Sequence, residues 1–158
     1  MTNGPESWSE PRLRAIIAQH ISLEGPLLPI LHAVQHEFGY VPQPAVPIIA
    51  GELNLSRAEV HGVVSFYHDY RAQPAGRHVL KICRAEACQS MGCEALVRRA
   101  EARLDVECGG TSADDQVTLE AVYCLGLCAM SPAAMVDSVP LARLNEAKLD
   151  RLLAEIGA

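Results

Sequence analysis

Residues 78–93, HVLKICRAEACQSMGC, decide how the rest of the chain reads. Val79, Lys81 and Cys83 alternate with Leu80 and Ile82, and this period of two predicts a strand that ends on a thiol. The turn-forming Pro74, Ala75 and Gly76 precede it. Beyond it, Cys93, Leu96, Val97, Ala100 and Leu104 recur on one face of a predicted helix. A Gly-rich connection, VECGGTSADDQ over 106–116, leads to a second predicted strand, VTLEAVYC over 117–124, which again ends on a cysteine. A third extended piece, AAMVD over 133–137, follows Ser131 and Pro132. Asn145 opens a closing helix that carries Leu149, Leu152, Leu153 and Ile156. Strand, helix, strand, strand, helix is a layered α/β (α+β) order and resembles half of a thioredoxin-like fold.

Upstream of Pro74 the period is helical throughout. Ser9 and Pro11 mark a start, with Leu13, Ile16, Ile17, His20 and Ile21 on one face. Gly25 and Pro26 break the chain before a second stripe of Leu27, Leu31, Val34 and Phe38, which Gly39 stops. PAVPIIAGELN, 44–54, reads as a short third helix with both prolines in its first turn, where a missing N–H costs little. Ser56 and Glu59 form a capping box that opens a fourth helix, expected to bury Val60, Val63, Val64 and Tyr67. The expected organisation is a disordered tail over 1–8, a helical bundle over 9–73 and a thioredoxin-like domain over 74–158. No repeat or low-complexity segment interrupts it.

Composition narrows the functional classes. The chain has 158 residues, 49% of them hydrophobic, enough for a real core. A formal charge of −6 with no Lys/Arg run offers nothing to a nucleic-acid backbone or an anionic membrane. No run approaches the roughly 18 apolar residues of a membrane span, and the first residues lack an apolar signal core. The expectation is a cytoplasmic protein without nucleic-acid partners or direct membrane insertion. In that compartment thiols stay reduced, so six cysteines point to metal or redox chemistry before disulfides.

Cys83 and Cys88 are spaced C-x4-C, and Cys124 and Cys128 C-x3-C, each pair at the end of a predicted strand. A [2Fe-2S] rhomb takes four thiolates, two for each iron, and a C-x4-C loop can wrap one. Gly126, inside CLGLC, lets the backbone approach the sulfides and donate N–H bonds to them. Zinc also takes four cysteines, usually through C-x2-C knuckles. A dithiol oxidoreductase would need C-x-x-C, which is absent, and a Rieske centre would need histidines in these loops, which have none. Cys93 falls in phase with the helix face and reads as a small buried hydrophobe, although it also forms a second C-x4-C with Cys88. Cys108 stands alone and reads as dispensable. Arg84, beside Cys83, and the helix start after Cys88 are expected to supply positive field to a cluster.

GYVP (39–42), LSRAEVHGVVSFYHDY (55–70), PAGRHVLKICRAEAC (74–88) and VYCLGLCAMSPAAMVD (122–137), in this order, resemble the NuoE-like subunits of NADH:quinone oxidoreductase (complex I) and their relatives. The resemblance extends over residues 12–156. It implies a helical bundle followed by a thioredoxin-like ferredoxin domain, with one [2Fe-2S] cluster on Cys83, Cys88, Cys124 and Cys128. Within that family SFYHDYR, CRAEACQSMG and CLGLCAMSPA look most like the gamma subunit of NAD-dependent, molybdenum-containing formate dehydrogenases. Cys93, where that subgroup suggests a small residue such as Ala, and DSVPLARL (137–144), which lacks the expected glycines, depart from the pattern.

The resemblance implies an electron-transfer subunit with no catalytic centre of its own. Its partners would be a flavin- and NAD(H)-binding iron–sulfur subunit and a molybdenum-containing catalytic subunit. FMN, NAD and the molybdenum cofactor would reside on those partners alone. The equivalent subunit of complex I or of an NAD-reducing hydrogenase is the alternative within the family. A zinc-stapled interaction module is the alternative of another class.

Overall fold

A computed structural model of the chain describes residues 8–157. They form two compact units, divided between Pro74 and Ala75.

The first unit is four helices: α1 (Glu10–His20), α2 (Leu27–Phe38), α3 (Ala45–Glu52) and α4 (Arg57–Phe66). Each begins where the local chemistry directs. Pro11 lies in the first turn of α1, and Pro44 immediately precedes α3, so neither removes a helix hydrogen bond. The Ser56 hydroxyl accepts from the Glu59 amide while the Glu59 carboxylate accepts from the Ser56 amide, the reciprocal bonds of a capping box. Those bonds, the Ser56 amide first, hold the Glu59 carboxyl below its ordinary range. Gly39 ends α2 at φ 79°, a left-handed conformation that costs glycine little.

Leu13, Ile16 and Ile17 of α1 pack with Ile30, Leu31, Val34 and Phe38 of α2, Ile49 of α3 and Val60 of α4. In α2, Ile30 is fully buried and Leu27 only partly, so the core stripe begins three residues later than the sequence suggests. Tyr67, expected inside, is 45% exposed, and Tyr70 occupies the interior instead. The reason is local: α4 ends at Phe66, so the helical phase no longer directs Tyr67 inward. The next turn is tied back by Gln35, whose side chain donates to the Asp69 carbonyl at 2.6 Å and accepts from the Arg71 amide at 2.7 Å. Of the tail expected over residues 1–8, only Trp8 lies within the described residues. Its ring stands edge-on to Phe38 with centroids 5.5 Å apart, so Trp8 is a packing residue.

The second unit is a four-stranded sheet ordered β2-β1-β3-β4 with helices on it. β1 (His78–Cys83) and β2 (Val117–Val122) pair in parallel, His78 opposite Val117 and Cys83 opposite Val122. β3 (Ala134–Val136) runs antiparallel to β1, and β4 (Val139–Leu141) antiparallel to β3 at the edge. Leu80, Ile82, Val117 and Leu119 form a core with α6 (Cys93–Leu104) and α7 (Glu146–Glu155), which contribute Leu96, Val97, Ala100, Leu149 and Leu153. Asn145 caps α7 by accepting from the Lys148 amide at 2.9 Å.

Two elements differ from the sequence reading. A five-residue helix, α5 (Glu86–Ser90), is inserted between β1 and α6. The segment read as a turn, 137–144, contains β4. It pairs through a two-residue loop in which Asp137 takes φ 54°, a position where aspartate replaces the expected glycine. β4 is three residues long and includes Pro140, a residue that removes a ladder donor and is tolerated at a sheet edge.

Candidate cluster site

Parallel pairing of β1 and β2 makes both strands deliver their following loops at the same end of the sheet. Cys83 is the last residue of β1, and Cys124 lies two residues beyond β2. Cys88 is on α5, and Cys128 begins a single 3-10 turn, Cys128–Met130. The two loops are bonded to the sheet and to each other. The Cys83 amide donates to the Ala133 carbonyl at 2.9 Å, and the Arg84 amide donates to the Val122 carbonyl at 2.8 Å.

The thiols fall into two pairs of different exposure. Cys83 and Cys88 are buried, each 2% exposed, with the Cys88 thiol hydrogen-bonded to Cys83. Cys124 and Cys128 are exposed, with Sγ atoms 3.6 Å apart. The two loops meet around Cys83, where the amides of Ala85 on its own loop and of Cys124 and Leu125 on the other favour its thiolate form. Burial pushes the Cys83 thiol up, but these amides and the Cys88 hydrogen bond outweigh it and leave the group below its ordinary range. Burial dominates at Cys88, which rises although the Ala133 amide donates to it. The hydrogen bond with Cys124 raises Cys128.

The Cys124 backbone takes φ 93°, uncommon for a residue with a side chain, and Gly126 follows at φ 76°. Their conformations curl the loop so that the Gly126 amide donates to Cys124 Sγ at 3.4 Å. The two loops therefore bring four thiols to one end of the sheet, and N–H bonds of the kind that Gly126 makes to Cys124 stabilise thiolate ligands. Among the described residues no group of three or more His, Cys, Asp or Glu side chains is placed to hold a single metal ion. Two pairs match a rhomb in which each iron takes two protein thiolates. A structural zinc would draw all four ligands round a single ion.

The remaining cysteines separate. Cys93 is fully buried on the expected helix, but at its first position it packs with Cys83, Cys88 and Ala133 rather than with Leu96 and Val97. Cys108 is half-buried against the helix–sheet core, its amide donating to a Glu101 carboxylate oxygen at 3.1 Å. Arg84 does not offer an unopposed charge. Its Nε and Nη2 each donate to a Glu94 carboxylate oxygen at 2.9 Å, a two-pronged ion pair. Sequence reasoning missed Glu94, because nothing in the spacing of Arg84 and Glu94 shows that the intervening turn and helix return the chain to the same place. It also missed the Ala133 and Leu125 backbone groups, which carry no side-chain signature.

Residues 13–157 match the family described as thioredoxin-like [2Fe-2S] ferredoxin. Among curated relatives, the HndA component of the NADP-reducing hydrogenase of Solidesulfovibrio fructosivorans is 30% identical over 84% of this chain and 77% of its own length. A component of the NADH-quinone oxidoreductase of Pseudomonas aeruginosa is 38% identical over 68% of this chain and 64% of its own. A crystal structure of an air-oxidised NAD+-reducing [NiFe]-hydrogenase superposes with a TM-score of 0.71 at 25% identity, covering 82% of this chain. This chain corresponds to 22% of that hydrogenase chain.

Proposed function

The chain belongs to the thioredoxin-like [2Fe-2S] ferredoxin family, and from that membership we propose that Cys83, Cys88, Cys124 and Cys128 hold its single [2Fe-2S] cluster for electron transfer within an NAD-linked oxidoreductase complex. When bound, such a cluster takes up and releases one electron at a time. The chain's own task is to hold four thiolates, orient amides at their sulfurs and exclude water from one side. The observation that carries the assignment is the parallel pairing of β1 with β2, which brings both thiol-bearing loops to one end of the sheet, Cys83 closing β1 and Cys124 lying two residues beyond β2. Burial of the first pair and exposure of the second give the site an inner and an outer edge, and the outer edge is where an electron enters or leaves.

The complex is a formate dehydrogenase in this reading, with the chain as its gamma subunit. Support comes from SFYHDYR, CRAEACQSMG and CLGLCAMSPA, the stretches that resemble that subgroup. The adjoining partner is a flavin- and NAD(H)-binding iron–sulfur subunit, whose FMN divides a two-electron hydride into single electrons. A molybdenum-containing subunit oxidises formate, and the assembly is cytoplasmic. Among the described residues no helix is long and apolar enough to cross a membrane. The names of the relatives favour a second reading, in which the same electron-transfer subunit serves a hydrogenase or a quinone reductase.

Anaerobic purification of the chain with its co-eluting partners tests both levels. Iron, acid-labile sulfide, zinc, nickel, flavin and molybdenum are measured per chain, with visible and EPR spectra. Two irons and two sulfides with co-purifying flavin and molybdenum support the formate dehydrogenase. The same cluster with nickel or without molybdenum supports the second reading. One zinc and no sulfide would overturn the electron-transfer assignment.

A further inference from the structure

Arg84 and Glu94 occupy a particular place in the site. Arg84 directly follows Cys83, and Glu94 directly follows Cys93, which is buried with Cys83 and Cys88 in one apolar cluster. Their two-pronged ion pair therefore joins the ends of the segment that carries Cys88. The side chains are 32% and 38% exposed, so the charges are only partly screened by solvent. The cluster itself is anionic: with four thiolates it carries a net charge of about −2 oxidised and −3 reduced. A cation beside it favours the reduced form and an anion the oxidised form.

We infer that Glu94 is a positioning residue that sets the cluster's reduction potential by holding the Arg84 guanidinium and cancelling its charge. The inference rests on the four-cysteine assignment above. Arg84 carries the positive charge nearest in sequence to a ligand, and its two-pronged bond to Glu94 leaves the pair neutral. The pair is thus a local dipole whose halves act on the cluster in opposite senses. Neither residue supplies a sulfur ligand, so each can be altered with the ligand set intact.

The test is an EPR-monitored redox titration of the full chain, reconstituted anaerobically, in four variants. Glu94→Gln keeps the side-chain shape and removes the anion, so its potential rises above wild type. Arg84→Gln leaves the anion unopposed, so its potential falls. Arg84→Gln combined with Glu94→Gln returns towards wild type. Arg84→Lys keeps the charge but loses the fork, and its potential stays nearer wild type than that of Arg84→Gln. A Glu94→Gln potential that is unchanged or lower, or equal displacement in Arg84→Lys and Arg84→Gln, overturns the inference. Iron, sulfide and the EPR signal of wild type are measured first. Their absence would refute the cysteine assignment, whereas a normal wild-type cluster with the wrong pattern of shifts would refute only the role of Glu94.

Discussion

The Gly126 amide lies 3.4 Å from Cys124 Sγ and donates to it across a two-residue turn. The contact exists because both residues take positive φ, 93° at Cys124 and 76° at Gly126. A methyl group built on Gly126 would meet nothing within 4 Å, so any cost of a side chain there comes from the backbone and not from a clash.

Gly126→Val therefore tests the conformation alone. A left-handed residue costs a side chain about 1–2 kcal/mol, and a β-branched one more, so the loop relaxes and the N–H bond to sulfur is lost. Expected are a lower cluster content after reconstitution and altered EPR g-values. Wild-type iron content and g-values in this variant would show that the loop geometry does not matter to the site.

The six cysteines divide into two groups by expected response. Serine at 83, 88, 124 or 128 abolishes or changes the wild-type visible spectrum, whereas Cys108→Ala leaves it intact. Cys93→Ala also keeps the spectrum, but lowers stability by about 1 kcal/mol because a fully buried side chain is truncated. Visible spectra and chemical denaturation of reconstituted variants check both. Loss of the spectrum in Cys93→Ala alone would place Cys93 among the ligands.

Arg99 of α6 donates through Nε and Nη2 to both carboxylate oxygens of Asp150 on α7, at 2.8 and 2.7 Å. The hydrogen bonds from Arg99 hold the Asp150 carboxyl below its ordinary range, with the charges of Arg99 and Arg103 adding to them against slight desolvation. A carboxyl depressed on folding contributes stability that is fully present above its unfolded pKa of about 4. That stability is lost as the pH falls through the lower folded value. Asp150→Asn should lower Tm at neutral pH and make the fall in Tm below pH 4 shallower. Parallel acid limbs for the two proteins in thermal melts would contradict this.

The Tyr70 hydroxyl is buried without a hydrogen-bond partner, and burial raises its pKa. Leaving such a group unsatisfied costs about 1–3 kcal/mol. Tyr70→Phe keeps the ring against His32 and should stabilise the helical unit by about 1 kcal/mol, measured by chemical denaturation. A destabilised variant would show that the hydroxyl is bonded in solution.

The periodic parts of this molecule were legible because burial writes a period into the sequence. The face of α6 is the clearest case, its Cys93, Leu96, Val97, Ala100 and Leu104 all buried. The cysteine spacing was legible for a related reason, since each pair had to fit within one loop. Where local pattern ended, so did the reading. β4 is too short for a period and contains a proline, α5 is barely more than a turn, and Tyr67 lost its phase when α4 stopped at Phe66. Glu94 was hidden because its meeting with Arg84 depends on how α5 and α6 fold back on β1, which no run of neighbouring residues encodes.

The in-register parallel pairing of β1 with β2 also imposes an order in time. Cys124 follows Cys83 by 41 positions (124 minus 83), so during synthesis the inner thiol pair is made well before the outer one. A nascent chain that has not reached Val117 has neither the strand that sets the second loop beside the first nor the thiols that the loop carries. All four thiols are present only once the chain has passed Cys128, after both strands that set their loops side by side have been made.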